Sequence, residues 1–151
     1  MIEIVRGELY IHGKLVLHSA DTGKILETAV SRDLHTIVST HESGLICIWD
    51  DNGELVETHS MNEVLKCVAI SNDRHHLAIV CEGSMVDWIY IYEHRAGKWE
   101  RTYTSHVPEY GYVMTWHEHG PGTEPMALSF QWERKPELRL RKRGGAWKKV
   151  A

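Results

Sequence analysis

Short apolar runs, each closed by small or acidic turn residues, follow one another along the whole chain. Residues 36–40 (TIVST), 45–50 (LICIWD), 77–81 (LAIVC) and 88–93 (WIYIYE) are too short for helices and rich in β-branched and aromatic side chains. Such runs, bounded by glycine, asparagine and aspartate, predict β-strands. No window sustains a 3.6-residue period; residues 60–67 come nearest and lack a cap. The pattern predicts an all-β chain.

The runs also repeat. Residues 28–33 (TAVSRD) and 68–73 (VAISND) share apolar alternation followed by Ser-x-Asp, forty positions apart. After each come a second run, a turn (HESG or EGS), a third run (LICIWD or WIYIYE), a turn ending in glycine (DDNG or HRAG) and a polar fourth run (ELVETH or KWERTY). The flanks follow the template more loosely. Residues 15–19 and 24–28 read as third and fourth runs of an earlier unit, with residues 1–12 supplying its inner strands. Residues 112–117, 125–132, 137–143 and 146–150 read as a final unit, in which Ala146–Trp147 follows glycine as Lys98–Trp99 does. The expected units are residues 1–28 (partial), 29–60, 61–104 and 105–151.

This order of runs resembles the WD repeat of β-propellers, most closely over residues 28–104, where Trp49–Asp50 stands as the signature dipeptide. The resemblance implies four-stranded blades with Trp49, Asp50, Asp33 and Asp73 as blade-signature positions. It also implies a structural hydrogen-bond network joining His41 and Asp50 with a hydroxyl residue and the Trp. The Gly-His that opens a typical blade is replaced by the surroundings of Ser60 and Asn62. Tyr92–Glu93 and Arg141–Lys142 stand where later units would carry Trp-Asp. Blades of about 40–45 residues fit three times plus a remainder into 151 residues. Closed rings have at least about four blades. The expectation is therefore β-propeller-like blades of short antiparallel strands, forming a partial propeller that another chain completes.

Charge adds asymmetry. Residues 1–133 hold 9 Lys/Arg against 20 Asp/Glu, a net −11, and residues 134–151 hold 8 against the single Glu137, a net +7. In residues 138–143 leucines alternate with Arg139 and Arg141, which predicts one buried and one cationic face. That basic hairpin, with Arg139, Arg141, Lys142, Arg143 and Lys148, is a candidate contact for an acidic protein or, as the alternative, for RNA or DNA. Charged edges also block stray strand pairing. Trp99, Trp116 and Trp147 are candidate interface anchors.

Catalytic signatures are missing. There is no Gly-x-Ser-x-Gly, no phosphate-cradling glycine loop, and each of the three cysteines lies in an apolar stretch. His117 and His119 have a spacing that binds zinc or copper on a strand, the basis of a metal-dependent enzyme as a rival reading; a polar turn before Gly120 explains them better. No catalytic residue, metal or cofactor is therefore assigned. No uncharged run exceeds eight residues, so a membrane helix of about 20 residues is not expected. Charges in residues 1–13 argue against a signal peptide, and three cysteines argue against a disulfide framework. A reducing compartment, cytoplasm or nucleus, is expected. The sequence-level reading is a non-catalytic WD-repeat-like interaction module, a scaffold or structural subunit of a larger assembly, whose partners are proteins, including further copies of itself.

Overall fold

The computed structural model describes residues 2–5, 8–18, 24–31, 35–71, 75–107, 113–117, 127–131, 138–143 and 146–150. Asp33, Asp73 and His119 lie outside them. The described residues form strands arranged in four antiparallel sheets, each meandering in chain order. The first has three strands, β1 (Ile2–Val5), β2 (Glu8–Ile11) and β3 (Lys14–His18). The second holds β4 (Ile25–Val30), β5 (Thr36–His41), β6 (Leu45–Asp50) and β7 (Leu55–Ser60). The third holds β8 (Val64–Ile70), β9 (His76–Glu82), β10 (Asp87–Arg95) and β11 (Lys98–Val107). The fourth holds β12 (Val113–His117), β13 (Ala127–Gln131), β14 (Leu138–Arg143) and β15 (Ala146–Val150).

The first strands of successive sheets lie side by side: β4 packs on β8, and β8 on β12. The sheets stack face to face, with one apolar cluster at each of the three seams. Leu9 and Ile11 meet Ile25, Ile37, Cys47 and Trp49 at the first seam. Val38, Ile46 and Ile48 meet Leu65, Val68, Ile79, Tyr90 and Tyr92 at the second. Ala78, Val80, Ile89 and Ile91 meet Trp116, Leu140 and Trp147 at the third. Alternate residues of one strand therefore serve opposite seams: Ile46 and Ile48 point one way, Cys47 and Trp49 the other. Burial on both faces is why the central strands read as unbroken apolar runs. Outer strand β7, covered less, alternates exposed and half-buried positions.

Turn chemistry sets the hairpins. His12–Gly13 and Ala96–Gly97 both have positive φ at each residue (51° and 79°, 50° and 79°), the two-residue geometry that matches strand twist. Gly44 has φ +85°, and a Cβ there would stand 2.0 Å from the Met61 carbonyl oxygen, so only glycine fits that crossing.

One boundary differs from the sequence expectation. Residues 24–28, expected as the fourth run of the first unit, instead open the second sheet, because Ile25 through Val30 pair with Val38 and its neighbours on β5. Burial of Ile25 against Leu9 and Ile37 at the first seam fixes that assignment. The first sheet is left with three strands.

Candidate interaction surfaces

The signature dipeptide is divided between two jobs. Trp49 is buried, and its indole Nε1 donates to Ser39 Oγ at 3.0 Å. That hydroxyl lies 2.9 Å from Nε2 of His41, which is also buried. The hydroxyl thus bridges strands β5 and β6 inside the blade, where an unpaired indole N–H would be costly. Asp50 stands apart from this network, correcting the expected link to His41. Its Oδ1 accepts from the backbone N–H groups of Asn52 and Glu54, both at 2.9 Å. A carboxylate able to reach the next two turn amides holds the hairpin there.

The three tryptophans considered as anchors are all buried within the chain. Trp99 lies at the second seam, its ring 5.1 Å from that of His94, and its backbone N–H is shared by the Glu57 carboxylate of β7. Trp116 donates from Nε1 to the Ala69 carbonyl of β8 at 3.1 Å. Its ring stands 5.7 Å from that of Trp147. These rings join blades to one another rather than presenting an exposed face.

Beside the Trp116–Trp147 pair is a buried polar knot that sequence reasoning missed. Glu93, whose side chain is 5% exposed, lies 3.2 Å from Nε2 of His76 and 2.9 Å from Nη2 of Arg95. It also pairs with Lys142 of the fourth sheet. Burial alone would raise the Glu93 pKa, but the bonds from Lys142 and Thr102 and the charges of Lys142 and His76 outweigh it and hold the group below its ordinary value. Glu93 follows Tyr92 as Asp50 follows Trp49, and that equivalence was the only available signal.

The basic hairpin divides by strand alternation. Lys142 pairs in register with Trp147, and Leu140 with Lys149, on the face turned to the third sheet. From there Lys142 reaches Glu93, and Lys149 Nζ donates to the His106 carbonyl at 2.7 Å. Lys142 is thus a strut between blades. Arg139, Arg141 and Arg143 pair with Val150, Lys148 and Ala146 on the opposite face. Lys148 is exposed.

No reactive group emerges among the described residues. Burial pushes the Cys47 thiol up to about 11 and Cys67 up to about 12, and raises Cys81 further. Burial and then the bond to Glu63 push the Tyr90 phenol up to about 12. Among the described residues no three His, Cys, Asp or Glu side chains gather as a metal site. His117 pairs in register with Ala127, on the face of Arg141. Among the described residues the most exposed large apolar side chain is Met85, 84% exposed, in the turn between β9 and β10.

No family model and no curated protein matches the chain. Solved structures do. The WD40 domain of SCAP from fission yeast aligns with a TM-score of 0.62 at 16% identity, over 83% of this chain and 30% of that one. Hsv2 of Kluyvelomyces marxianus aligns with a TM-score of 0.63 at 14% identity, over 99% of this chain and 58% of that one. The Dos1 propeller aligns with a TM-score of 0.52 at 14% identity, over 83% and 35%. The chain spans between 30% and 58% of the length of these structures.

Proposed function

From the premise that the chain has the fold of part of a WD-repeat β-propeller, we propose that it is a non-catalytic subunit of a larger protein assembly. Rigid blades would present their turns and uncovered sheet faces to protein partners. The observation that carries this reading is the use of polar groups. Trp49, Ser39 and His41 tie one blade together, and Glu93, His76 and Lys142 tie two blades to each other. The buried Cys47 and Cys81 thiols, pushed above their ordinary range, suit a reducing compartment, cytoplasm or nucleus.

The test is gentle recovery of the tagged chain from its native cells. The expected result is a complex well above 17.4 kDa with protein in fixed stoichiometry. Recovery as a lone monomer overturns the reading. A second reading, contact with RNA, is favoured by the register of Arg139, Arg141 and Arg143 on one sheet face. Filter binding across a salt series tests it: phosphate contacts give an affinity that falls steeply with salt, and no binding at low salt removes the idea.

A further inference from the structure

We propose that the outer face of the fourth sheet docks on the outer face of the first sheet of a second copy of this chain, so that two copies complete one ring. The proposal rests on the reading of the chain as a protein-interaction subunit and names its partner.

The two end sheets each have one face turned into the stack and one turned away. In the fourth sheet Trp116, Leu140 and Trp147 face the third-sheet cluster. The opposite register positions run Thr115–Ser129–Arg139–Val150 and His117–Ala127–Arg141–Lys148, with Arg143 beside Ala146. Four cations thus share a face whose other register positions are small or β-branched apart from His117 and Gln131. In the first sheet Leu9 and Ile11 face the second. The opposite positions hold Glu3 paired with Tyr10, and Glu8 paired with Val5 and His18. Glu3 is exposed, and Tyr10 donates from its hydroxyl to Glu8 Oε2 at 2.7 Å. Among the described residues no lysine or arginine shares that face: Lys14 pairs with Ile11 on the other one and reaches Glu54 of the second sheet at 3.6 Å.

The ends are therefore complementary to each other and not to themselves. Like charges set opposite each other would oppose pairing of two fourth sheets or two first sheets, which leaves the head-to-tail contact. Such a heterologous contact closes into a ring when the rotation allows it. The described residues of each copy form four sheets, eight in a pair, within the range of about 4–8 blades of closed propellers. A nucleic acid would engage the cationic face alone and give the carboxylates of the first sheet no role.

The test is sedimentation velocity of the full chain, with two charge-reversed variants. One carries Arg139→Glu and Arg141→Glu; the other carries Glu3→Lys and Glu8→Lys. Neither alters a residue of the three seam clusters. Wild type is expected to sediment at twice 17.4 kDa at low salt, with an association rate that falls about tenfold or more as salt rises. Each variant alone should be monomeric, because the first is left with no net positive charge on its fourth-sheet face and the second with two cationic end faces. An equimolar mixture should regain the wild-type mass, a recovery that a misfolded variant could not give. A monomeric wild type, variants that associate as wild type does, or a mixture that stays monomeric overturns the proposal. If wild type is monomeric yet leaves native cells in complex with another protein, self-docking fails and the subunit reading stands. If the pair forms in solution but joins no larger assembly in cells, the docking stands and the subunit reading fails. Loss of oligonucleotide binding in the arginine variant, with no change of mass in the glutamate variant, assigns the face to nucleic acid and also overturns the proposal.

Discussion

Replacing Lys142 by methionine should separate the roles of the basic hairpin. Its Nζ pairs across the third seam with Glu93, a carboxylate only 5% exposed, while Lys142 itself is 22% exposed. Methionine keeps the length and apolar stem of the lysine, so the change removes the charge and little packing. Removing one partner of a fully buried pair costs about 3–5 kcal/mol. Here Arg95 and His76 remain beside Glu93 and Lys142 is partly hydrated. The cost should therefore approach that of a lost hydrogen bond to a charged group, about 2–3 kcal/mol. For a chain of this size that lowers the melting temperature by roughly 4–12 °C. Urea and thermal unfolding followed by tryptophan emission is the assay, since Trp116 and Trp147 flank the pair. The contribution needs an ionised Glu93, whose folded pKa lies below its ordinary value of 4.5. It is thus complete above that value and is lost as pH falls through the lower folded one, so the gap between wild type and variant should narrow under acid conditions. A variant within about 0.5 kcal/mol of wild type at neutral pH, or no coupling in a cycle with Glu93→Gln, refutes the strut.

Ile79→Ala, at a fully buried position of the second seam, should cost about 2–5 kcal/mol in urea unfolding; wild-type stability would contradict the register. Ser39→Ala leaves the Trp49 indole N–H without its acceptor and should cost about 1–3 kcal/mol, whereas a neutral result would mean that the bridge contributes nothing. Cys47 and Cys81, both buried and with thiols pushed above their ordinary range, should resist alkylation in the native chain at neutral pH and react at the unfolding rate. Labelling that greatly outpaces unfolding would disprove their burial.

The blades were legible because the central strands are buried on both faces. Residues 45–50 and 77–81 could not be read as helix or as surface strand, and each falls on an observed strand. The fate of residues 24–28 was not legible. One polar run is as good a fourth strand as the start of a first strand until Ile25 is seen packing at the first seam. Trp99, Trp116 and Trp147 had no apolar run of their own to declare which face they join. Only the neighbouring sheet supplies Ala69 as acceptor for Trp116 and the Glu57 carboxylate that accepts from the backbone N–H of Trp99. Lys142 belonged to the charged set by composition, yet alternation from Leu140 already placed it on the inner face.

That alternation carries the argument about what covers the ends. Inside the stack, each sheet presents isoleucine, leucine, tyrosine or tryptophan to its neighbour on both sides. The fourth sheet does so on one side only; on the other it offers Arg139, Arg141, Arg143 and Lys148. An ordinary apolar blade laid on that face would set no anion against those four register positions, and an ion buried unpaired costs several kcal/mol. A cover bearing carboxylates at matching positions avoids the penalty, because exposed or half-buried pairs contribute little each but orient the approach. The first sheet places Glu3 and Glu8 on its outer face, two carboxylates for four cations, and so offsets that penalty in part. The register of Arg139, Arg141, Arg143 and Lys148 thus favours an anionic cover over an apolar one for that face.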